Sequence, residues 1–482
     1  MLFDLLNTLL GALTLGLLLS LSFVFPESQG SFTESSKRLR AFIPILLGVW
    51  LLAALGNLIS TLANLFDAQI TEMLDTTTIR SYVTQTSLGR MQLVQIISIL
   101  VLFLIFRVIR KTGGALFCYV IALIGVAAPL LQSHTSQATG HGLAIGSLII
   151  HVIALSAWSG SVLALLFMDS DTRNLALARI GVIATWSVVA VVLTGSTSAM
   201  LRLGFSSDWF SAYGLMILAK VLILSGIIFF ARKIRADIGD ERAIKFEVGL
   251  LFTVISIGAL LSRFTPIVES EYKYDRVREL VGIPMPAEPT LWRVFFEYEA
   301  DALILGALVF ATALYIRGVI NLVRRGDKWP AGRTISFAIG ISLIDYSTSG
   351  GLGLYSIFSF QYHMMAHMVL SMIAPIFIVL SAPITLALRT LPIGRSKAER
   401  GIRGWLVESL GSRYSVVITH PLVALAIFDG SLFALYFSPL FGELMASHFG
   451  HLLMNVHFIL AGLLFFHVIV GIDPNQIGRA HV

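Results

Sequence analysis

The chain has 482 residues, of which 56% are apolar and only 13% are charged, and its formal net charge is +6. Because soluble domains carry about 25% charged residues, this composition excludes a water-soluble protein and indicates a polytopic membrane protein. The single cysteine, Cys118, excludes an internal disulfide and a thiolate cluster within one chain, so metal ligands would have to be His, Met or carboxylate.

Thirteen apolar stretches, most of them about 20 residues long, are predicted to cross the hydrocarbon core as helices, which gives an all-α fold. The first stretch lacks the cleavage site of a removable signal peptide, so we interpret it as a retained span. In chain order the predicted spans are 2–25, 42–66, 91–109, 115–131, 142–168, 178–200, 213–231, 247–263, 301–319, 334–346, 362–388, 416–438 and 448–471.

The basic residues are distributed unequally between alternate loops. One set of loops holds 24 Lys and Arg residues, and the other set holds 8. Since cytoplasmic loops are enriched in Lys and Arg, this bias supports about 13 spans and places the N-terminus outside. The positive net charge is therefore a topology signal, and nucleic acid is not an expected partner.

The chain is predicted to form two helical bundles. The long outer loop 264–300 has mixed charge and four prolines, which resist continuation of either bundle. We therefore predict a first domain at 1–263 with about 8 spans, a linker at 264–300, and a second domain at 301–476 with about 5 spans. The last six residues, 477–482, match the translation of a common sequencing adapter, and we expect the natural sequence to depart from this one after about Gln476.

A His-Met pair is repeated four residues later in the run from Tyr362 to Met368. Residues four apart on a helix share a face, so His363 and His367 are expected to project together. Imidazole and thioether are ligands that suit copper, and thioether favours Cu(I). His363, Met364, His367 and Met368 are therefore candidate copper ligands. The alternative is a polar turn at a membrane entry, with Met as apolar filler.

The last predicted span carries His448, His451, Met454 and His457 at intervals of three residues. Each step rises about 4.5 Å and turns the helix by about 300°, so the four residues form a stripe that winds inward from the outer surface. Polar side chains inside a bilayer are costly and tend to be functional. All four are candidate metal ligands, although any helix face that packs into a bundle would show the same spacing.

Six further polar residues are candidates by their position. His134 and His141 lie in an outer loop and His151 follows about 15 Å along the next helix, so we predict metal-ligand roles for all three; the alternative is a solvated loop with one interfacial histidine. Lys220 lies within a span, where it either snorkels or marks a functional site. Asp345 and Asp429 are expected to face a bound cation or to orient a histidine.

Sequence motifs for hydrolysis and phosphoryl transfer are not found. The chain has no nucleophile elbow, phosphate-cradling glycine loop or HExxH motif. The glycine-rich run 350–353 lies between two predicted spans without a following Lys-Ser/Thr, so we interpret it as an outer turn. We therefore predict that the protein is not an enzyme.

Parts of the chain resemble two known families. The first domain resembles the copper-resistance protein D (CopD) family over roughly 91–263, and more loosely over the first two spans. The second domain resembles the cytochrome c oxidase assembly factor (CtaG) family over 301–476. The first resemblance is carried by His151, Ala157-Trp158-Ser159-Gly160, Ala212-Tyr213-Gly214, Lys220 and Arg232-Lys233. The second is carried by 314–318, 325–330, His363-Met364, His367-Met368, 382–389, His420-Pro421, His448, His451, His457 and Gly471-Ile472-Asp473-Pro474.

These resemblances imply a function and partners. They imply a multi-pass protein of the bacterial plasma membrane that takes copper from the outer side for transport, or for delivery to cytochrome c oxidase assembly. A small periplasmic copper-binding protein and oxidase subunits are the implied partners. The CtaG family typically continues beyond the Gly-Ile-Asp-Pro turn, so the second domain is expected to be incomplete. A b-type haem protein with histidines on facing helices and a metal-free assembly scaffold remain alternatives.

Overall fold

The computed structural model describes residues 2–131, 141–236, 241–261, 277, 283–393, 401–445 and 448–473. Within these residues, nearly all regular structure is helical, and eleven helices are long and apolar enough to cross a membrane. The predicted all-α, polytopic membrane fold is therefore confirmed. The eleven helices are Leu2–Phe23, Glu34–Leu65, Ser87–Phe106, Thr112–Leu130, Gly142–Phe167, Ser170–Leu203, Ala212–Phe229, Glu241–Leu261, Ala302–Arg324, Phe360–Thr390 and Phe449–Val470.

Two of the thirteen predicted spans are not among these eleven. The segment 334–346 lies in the helix Ala331–Thr348, whose polar residues lower its hydropathy. The segment 416–438 is divided into shorter pieces, because Pro421 lacks the N–H needed to continue the preceding helix. Those pieces are Arg413–Ile418, Pro421–Leu425, a π-helical turn at Ala426–Gly430, and Ser431–Tyr436.

The structure divides into two compact units, which comprise Met1–Ala138 with Ala144–Tyr272, and Thr139–Leu143 with Lys273–Val482. Most of 264–300 before Ile283 lies outside the described residues, so the predicted boundaries at 263 and 301 stay predictions. The first unit has a short hairpin of Glu27–Ser28 with Ser31–Phe32. Its α-helices are Leu2–Phe23, Lys37–Leu65, Thr76–Gln85, Ser87–Phe106, Thr112–Leu130, His141–Ala164, Ser170–Leu203, Ala212–Ala236 and Glu241–Leu261.

Buried amides join four helices of the first unit. Asn7 donates from Nδ2 to Gln95 Oε1 at 3.1 Å and accepts at Oδ1 from Trp50 Nε1 at 3.0 Å. Gln95 in turn donates to the carbonyl of Gly125 at 3.1 Å. Because each unsatisfied polar group is costly in a bilayer, this mutual satisfaction lets polar residues lie inside the bundle.

The second unit contains two helical segments that build the candidate site. We call Phe360–Met368 the His-Met helix and His448–Val470 the last helix. The core of this unit includes Leu370 and Phe458. Its other α-helices are Leu291–Phe296, Ala302–Arg324, Ala331–Thr348, Gly351–Ser356, Ala374–Leu380, Pro383–Thr390, Gly401–Leu410, Arg413–Ile418, Pro421–Leu425, Ser431–Tyr436 and Leu440–Met445.

A close backbone approach positions the last helix. The His-Met helix continues into a π-helical turn at Val369–Ile373, and Pro375 follows this turn. Pro375 has no N–H to offer the carbonyl of Ser371, which explains the local widening of the helix. Gly462 of the last helix lies against that carbonyl, where a side chain would collide with it. The absence of a side chain therefore allows the two helices to approach closely.

Candidate metal centre

Three histidines converge, two of them one turn apart on the His-Met helix and the third, His451, in the first turn of the last helix. The ring centroids of His363 and His367 are 4.1 Å apart, and those of His363 and His451 are 5.6 Å apart. One ring nitrogen from each residue lies within 4.8 Å of the other two. We call His363, His367 and His451 the three-histidine cluster.

The spacing of the cluster is suited to a metal ion. Nitrogens bound to one metal at about 2.0–2.1 Å lie about 3.5 Å from one another. The observed limit of 4.8 Å therefore requires the rings to move inward by only about 1 Å. Side-chain rotation can supply this movement without displacing either helix.

His363 is the least satisfied member of the cluster. Its side chain is 1% exposed, and neither ring nitrogen makes a hydrogen bond of normal geometry to the described residues, although the backbone of Ser356 lies close enough to the ring to interact with it. Burying a polar group without a partner costs about 1–3 kcal/mol. A bound metal ion would satisfy one of these nitrogens, and the ligand role of His363 stays a prediction.

His367 is held on both sides by hydrogen bonds. Its Nδ1 lies 2.8 Å from the hydroxyl of Tyr436, and its Nε2 lies 3.2 Å from Oδ1 of Asn455. Asn455 is on the last helix one turn after His451 and is 4% exposed. These contacts fix the orientation of the His367 ring, as residues around metal-binding histidines do.

Aromatic rings surround the cluster and give it an apolar environment. Phe441 packs edge-on against His363 with centroids 5.3 Å apart, and Phe458 packs against His367 at 4.5 Å. The three-histidine cluster is therefore in contact with aromatic rings of the second unit.

The three methionines predicted as ligands are neighbours of the cluster histidines in the sequence. Met364 and Met368 each follow a cluster histidine by one residue, so they project about 100° around the helix from it. Met454 is 2% exposed and packs within the hydrophobic core of the second unit. The three-histidine cluster therefore forms without Met454, and the ligand roles of Met364 and Met368 remain predictions.

The stripe at intervals of three residues is not what faces the cluster. The side chains of the last helix that face His367 are His451, Asn455 and Phe458, spaced by four and three residues. His457 instead pairs through Nε2 with Ser431 Oγ at 2.8 Å. Three residues turn a helix by only about 300°, so successive members of the stripe diverge in direction. The side chain of His448 lies outside the described residues.

Of the three histidines predicted as ligands before the linker, the structure describes only the side chain of His151. His151 pairs through Nδ1 with Thr194 Oγ1 at 3.0 Å and lies close enough to Lys220 for electrostatic interaction. Lys220 Nζ packs against Gly258 of the neighbouring helix. His134 and the side chain of His141 lie outside the described residues. Metal binding by these three histidines remains a prediction.

The two predicted carboxylates lie apart from the histidines. Asp345 accepts a hydrogen bond from the hydroxyl of Tyr298 at 3.1 Å. Asp429 lies on an exposed face within the π-helical turn Ala426–Gly430. Instead, the side chain that accepts a hydrogen bond from His367 is the buried amide of Asn455. A polar Asn within an otherwise apolar span is the sequence signal that could have identified this residue.

A small cavity reaches the three-histidine cluster. His451 and Asn455 line one part of it, and Glu299 and Asp301 line another. Burial raises the pKa of the Glu299 carboxyl above its usual range. We call this the acidic cavity. Its carboxylates belong to the chain just before the helix Ala302–Arg324, and sequence analysis did not identify them as site residues.

Comparison with known proteins gives two family matches within the chain. Residues 2–145 match the family described as "Copper resistance protein D-like, N-terminal domain". Residues 313–482 match the family described as "Cytochrome c oxidase caa3 assembly factor (Caa3_CtaG)". The three-histidine cluster lies wholly within the second match.

Similar sequences occur in mycobacteria. Uncharacterized proteins of Mycobacterium leprae and Mycobacterium tuberculosis are each 27% identical to this chain. Each alignment covers 97% of this chain and 71% of the relative. No solved structure matches the chain.

Proposed function

Because the chain joins a copper resistance protein D-like N-terminal domain to a caa3 oxidase assembly factor domain, we propose that it captures copper for delivery to the oxidase. The two domains make this a copper-related membrane protein tied to cytochrome c oxidase assembly. In the proposal, copper enters from the outer side and binds at the three-histidine cluster. Transfer to an oxidase subunit, or across the membrane, follows.

The observation that carries this proposal is the buried, unpaired imidazole of His363 next to two further histidines. Imidazole binds copper well, and three ligands satisfy Cu(I) without closing the site. An open site is needed for a carrier, because the acceptor must reach the ion before the last histidine releases it. The ion would be cargo here, and the chain would supply its capture, orientation and release.

The acidic cavity supports entry of a cation. Carboxylates attract and transiently bind a positively charged ion, and Glu299 and Asp301 share this cavity with His451. Both precede a helix whose N-terminal end is on the outer side in the predicted topology. An ion that arrives there would meet carboxylates first and imidazoles second.

The haem alternative fits this arrangement less well. In this alternative a porphyrin would lie between His451 and either His363 or His367, which are on facing helices. Phe441 and Phe458 pack on the rings where the macrocycle would have to lie. A reduced-minus-oxidised visible spectrum of the purified protein separates the two functions, because only a haem protein gives strong bands.

Copper stoichiometry tests the proposal. We expect the variant His363→Ala/His367→Ala, loaded anaerobically with Cu(I), to bind one copper ion fewer per chain than the wild type. His457→Ala is the control, because His457 lies on the last helix, pairs with Ser431 and is not a member of the three-histidine cluster. Unchanged stoichiometry and affinity in the double variant would remove the pair from the site.

A genetic test separates the copper carrier from a metal-free assembly scaffold. Deletion of a carrier should reduce oxidase activity, and added copper should restore part of it. Deletion of a scaffold should reduce oxidase activity with normal copper levels and without rescue by copper.

A further inference from the structure

The hydrogen bonds of His367 determine which of its nitrogens a metal can use. Tyr436 contacts Nδ1 at 2.8 Å, and Asn455 presents its amide oxygen to Nε2 at 3.2 Å. Both nitrogens are thus engaged in this arrangement. A metal ion can bind His367 only after one of the two hydrogen bonds is broken.

The chemistry of the two partners assigns the proton. An amide oxygen only accepts hydrogen bonds, so Nε2 of His367 must carry the proton that it donates to Asn455. A neutral imidazole has a single N–H, so Nδ1 carries the lone pair. The hydroxyl of Tyr436 therefore donates to Nδ1, which is the atom a metal would need.

We propose that copper binds Nδ1 of His367 by displacing the hydroxyl of Tyr436, while Asn455 keeps the ring in position through Nε2–H. This inference rests on the proposed function. Binding forms one Cu–N bond and breaks one O–H···N hydrogen bond, and no proton or electron leaves the site. Release reverses the exchange, because the returning hydroxyl satisfies Nδ1 as the ion departs.

The two contacts are therefore expected to have opposite effects on affinity. Tyr436 competes with the ion for Nδ1, so its hydroxyl weakens binding and eases release. Asn455 is a positioning residue that holds the imidazole in the correct tautomer and orientation. A purely structural role for both residues would instead make both substitutions weaken binding.

Cu(I) affinities of the full chain, measured in competition with a coloured Cu(I) chelator, test this inference. We expect Tyr436→Phe to bind copper about fivefold more tightly, since one ordinary hydrogen bond no longer competes. We expect Asn455→Ala to bind about 10–100-fold more weakly, and Asn455→Asp, which keeps an acceptor, to recover most of the loss. Tyr315→Phe is the matched control, because it removes a buried hydroxyl that bonds Ser381 elsewhere in the unit.

The outcomes separate this inference from the proposed function. If the wild type binds no copper, the proposed function fails. If the wild type binds copper but Tyr436→Phe weakens binding, the hydroxyl is a ligand or a structural contact, and the inference is overturned. Raman difference spectra of the copper-loaded protein give an independent readout, because imidazole bands differ between Nδ1 and Nε2 coordination. A band for Nε2 coordination at His367, identified by its loss in His367→Ala, would also overturn it.

Discussion

Gly462 of the last helix lies directly against the backbone carbonyl of Ser371. This contact lies at the π-helical turn that follows the His-Met helix, and Ser371 is about one turn beyond His367. Helices pack this closely in membranes only where a small residue removes the steric barrier. The distance between His451 and the other two histidines therefore depends on a glycine that contacts none of them.

Replacing Gly462 with a larger residue should weaken copper binding, although Gly462 does not contact the three histidines. We expect Gly462→Val to push the last helix away from Ser371, to lower copper affinity at least tenfold, and to destabilise the protein. Affinity by chelator competition and thermal unfolding in detergent measure the two effects. Gly332→Val is the control, because no atom lies within 4 Å of a side chain placed there. Equal effects of the two substitutions would contradict the packing argument.

Replacing His363 should separate stability from binding. His363→Leu removes two unpaired buried nitrogens and keeps a similar volume, so we expect the unfolding free energy in the absence of copper to be unchanged or to rise by about 1–2 kcal/mol. Copper binding at the cluster should be lost. The measurements are chemical or thermal unfolding with a copper chelator present, and copper content after loading. Strong destabilisation would show that His363 is a structural residue.

Neutralising the acidic cavity should slow copper capture more than it changes affinity. We expect Glu299→Gln to reduce the rate of Cu(I) loading severalfold, because the carboxylate attracts the ion, while the number of copper ions bound stays the same. Stopped-flow transfer from a coloured chelator measures this rate. Glu297→Gln is the control, since Glu297 instead accepts a hydrogen bond from Tyr355 and pairs with Arg293.

The same carboxylate gives the loading rate a pH dependence. Burial raises the pKa of Glu299, so its neutral form persists to higher pH than for an exposed glutamate. As pH falls through this raised pKa, the charge and its attraction for the ion are lost. We expect loading to slow over that range in the wild type, and the Glu299-dependent part of this slowing to be absent in Glu299→Gln. An identical pH profile in both proteins would exclude Glu299 from the entry route.

Asp473 should be important for the stability of the second unit. It is 2% exposed and accepts hydrogen bonds from the backbone N–H groups of Ile384 and Thr385 at 3.1 and 2.8 Å, and from the Thr385 hydroxyl. It thereby caps the helix Pro383–Thr390 from a distant part of the chain. Removing a charged acceptor leaves buried donors unpaired, so we expect Asp473→Ala to cost about 2 kcal/mol or more.

Thermal unfolding of the variants tests this cap. Asp327→Ala is the matched control, because it removes an aspartate whose ion pair with Arg389 is partly exposed and therefore contributes little. Thr385→Val combined with Asp473→Ala should cost less than the sum of the two single effects, because both substitutions remove the same hydrogen bond. Strict additivity, or equal effects of Asp473→Ala and the control, would rule out this role.

The spacing of residues in the sequence predicted their relative positions correctly where both residues are on the same helix. His363 and His367 share a face because four residues make about one turn, and the structure brings their rings together. In the last helix the interval of three predicted a stripe of ligands; the structure brings His451 to the cluster and pairs His457 with Ser431, and the other ligand roles stay predictions. The real face, His451 with Asn455 and Phe458, alternates steps of four and three, which follow the period of 3.6 residues more closely.

The amino-acid sequence alone determined that this chain is helical, crosses a membrane many times, resembles two families and carries histidines at the start of two spans, because these properties depend on hydropathy and local periodicity. The tertiary structure decided which histidines meet, because neighbours 88 residues apart, such as His367 and Asn455, are set by how helices pack and rotate. It also revealed Tyr436, Glu299 and Gly462. Each of these residues contacts a segment that is distant in the sequence, and such contacts cannot be predicted from local hydropathy or residue spacing.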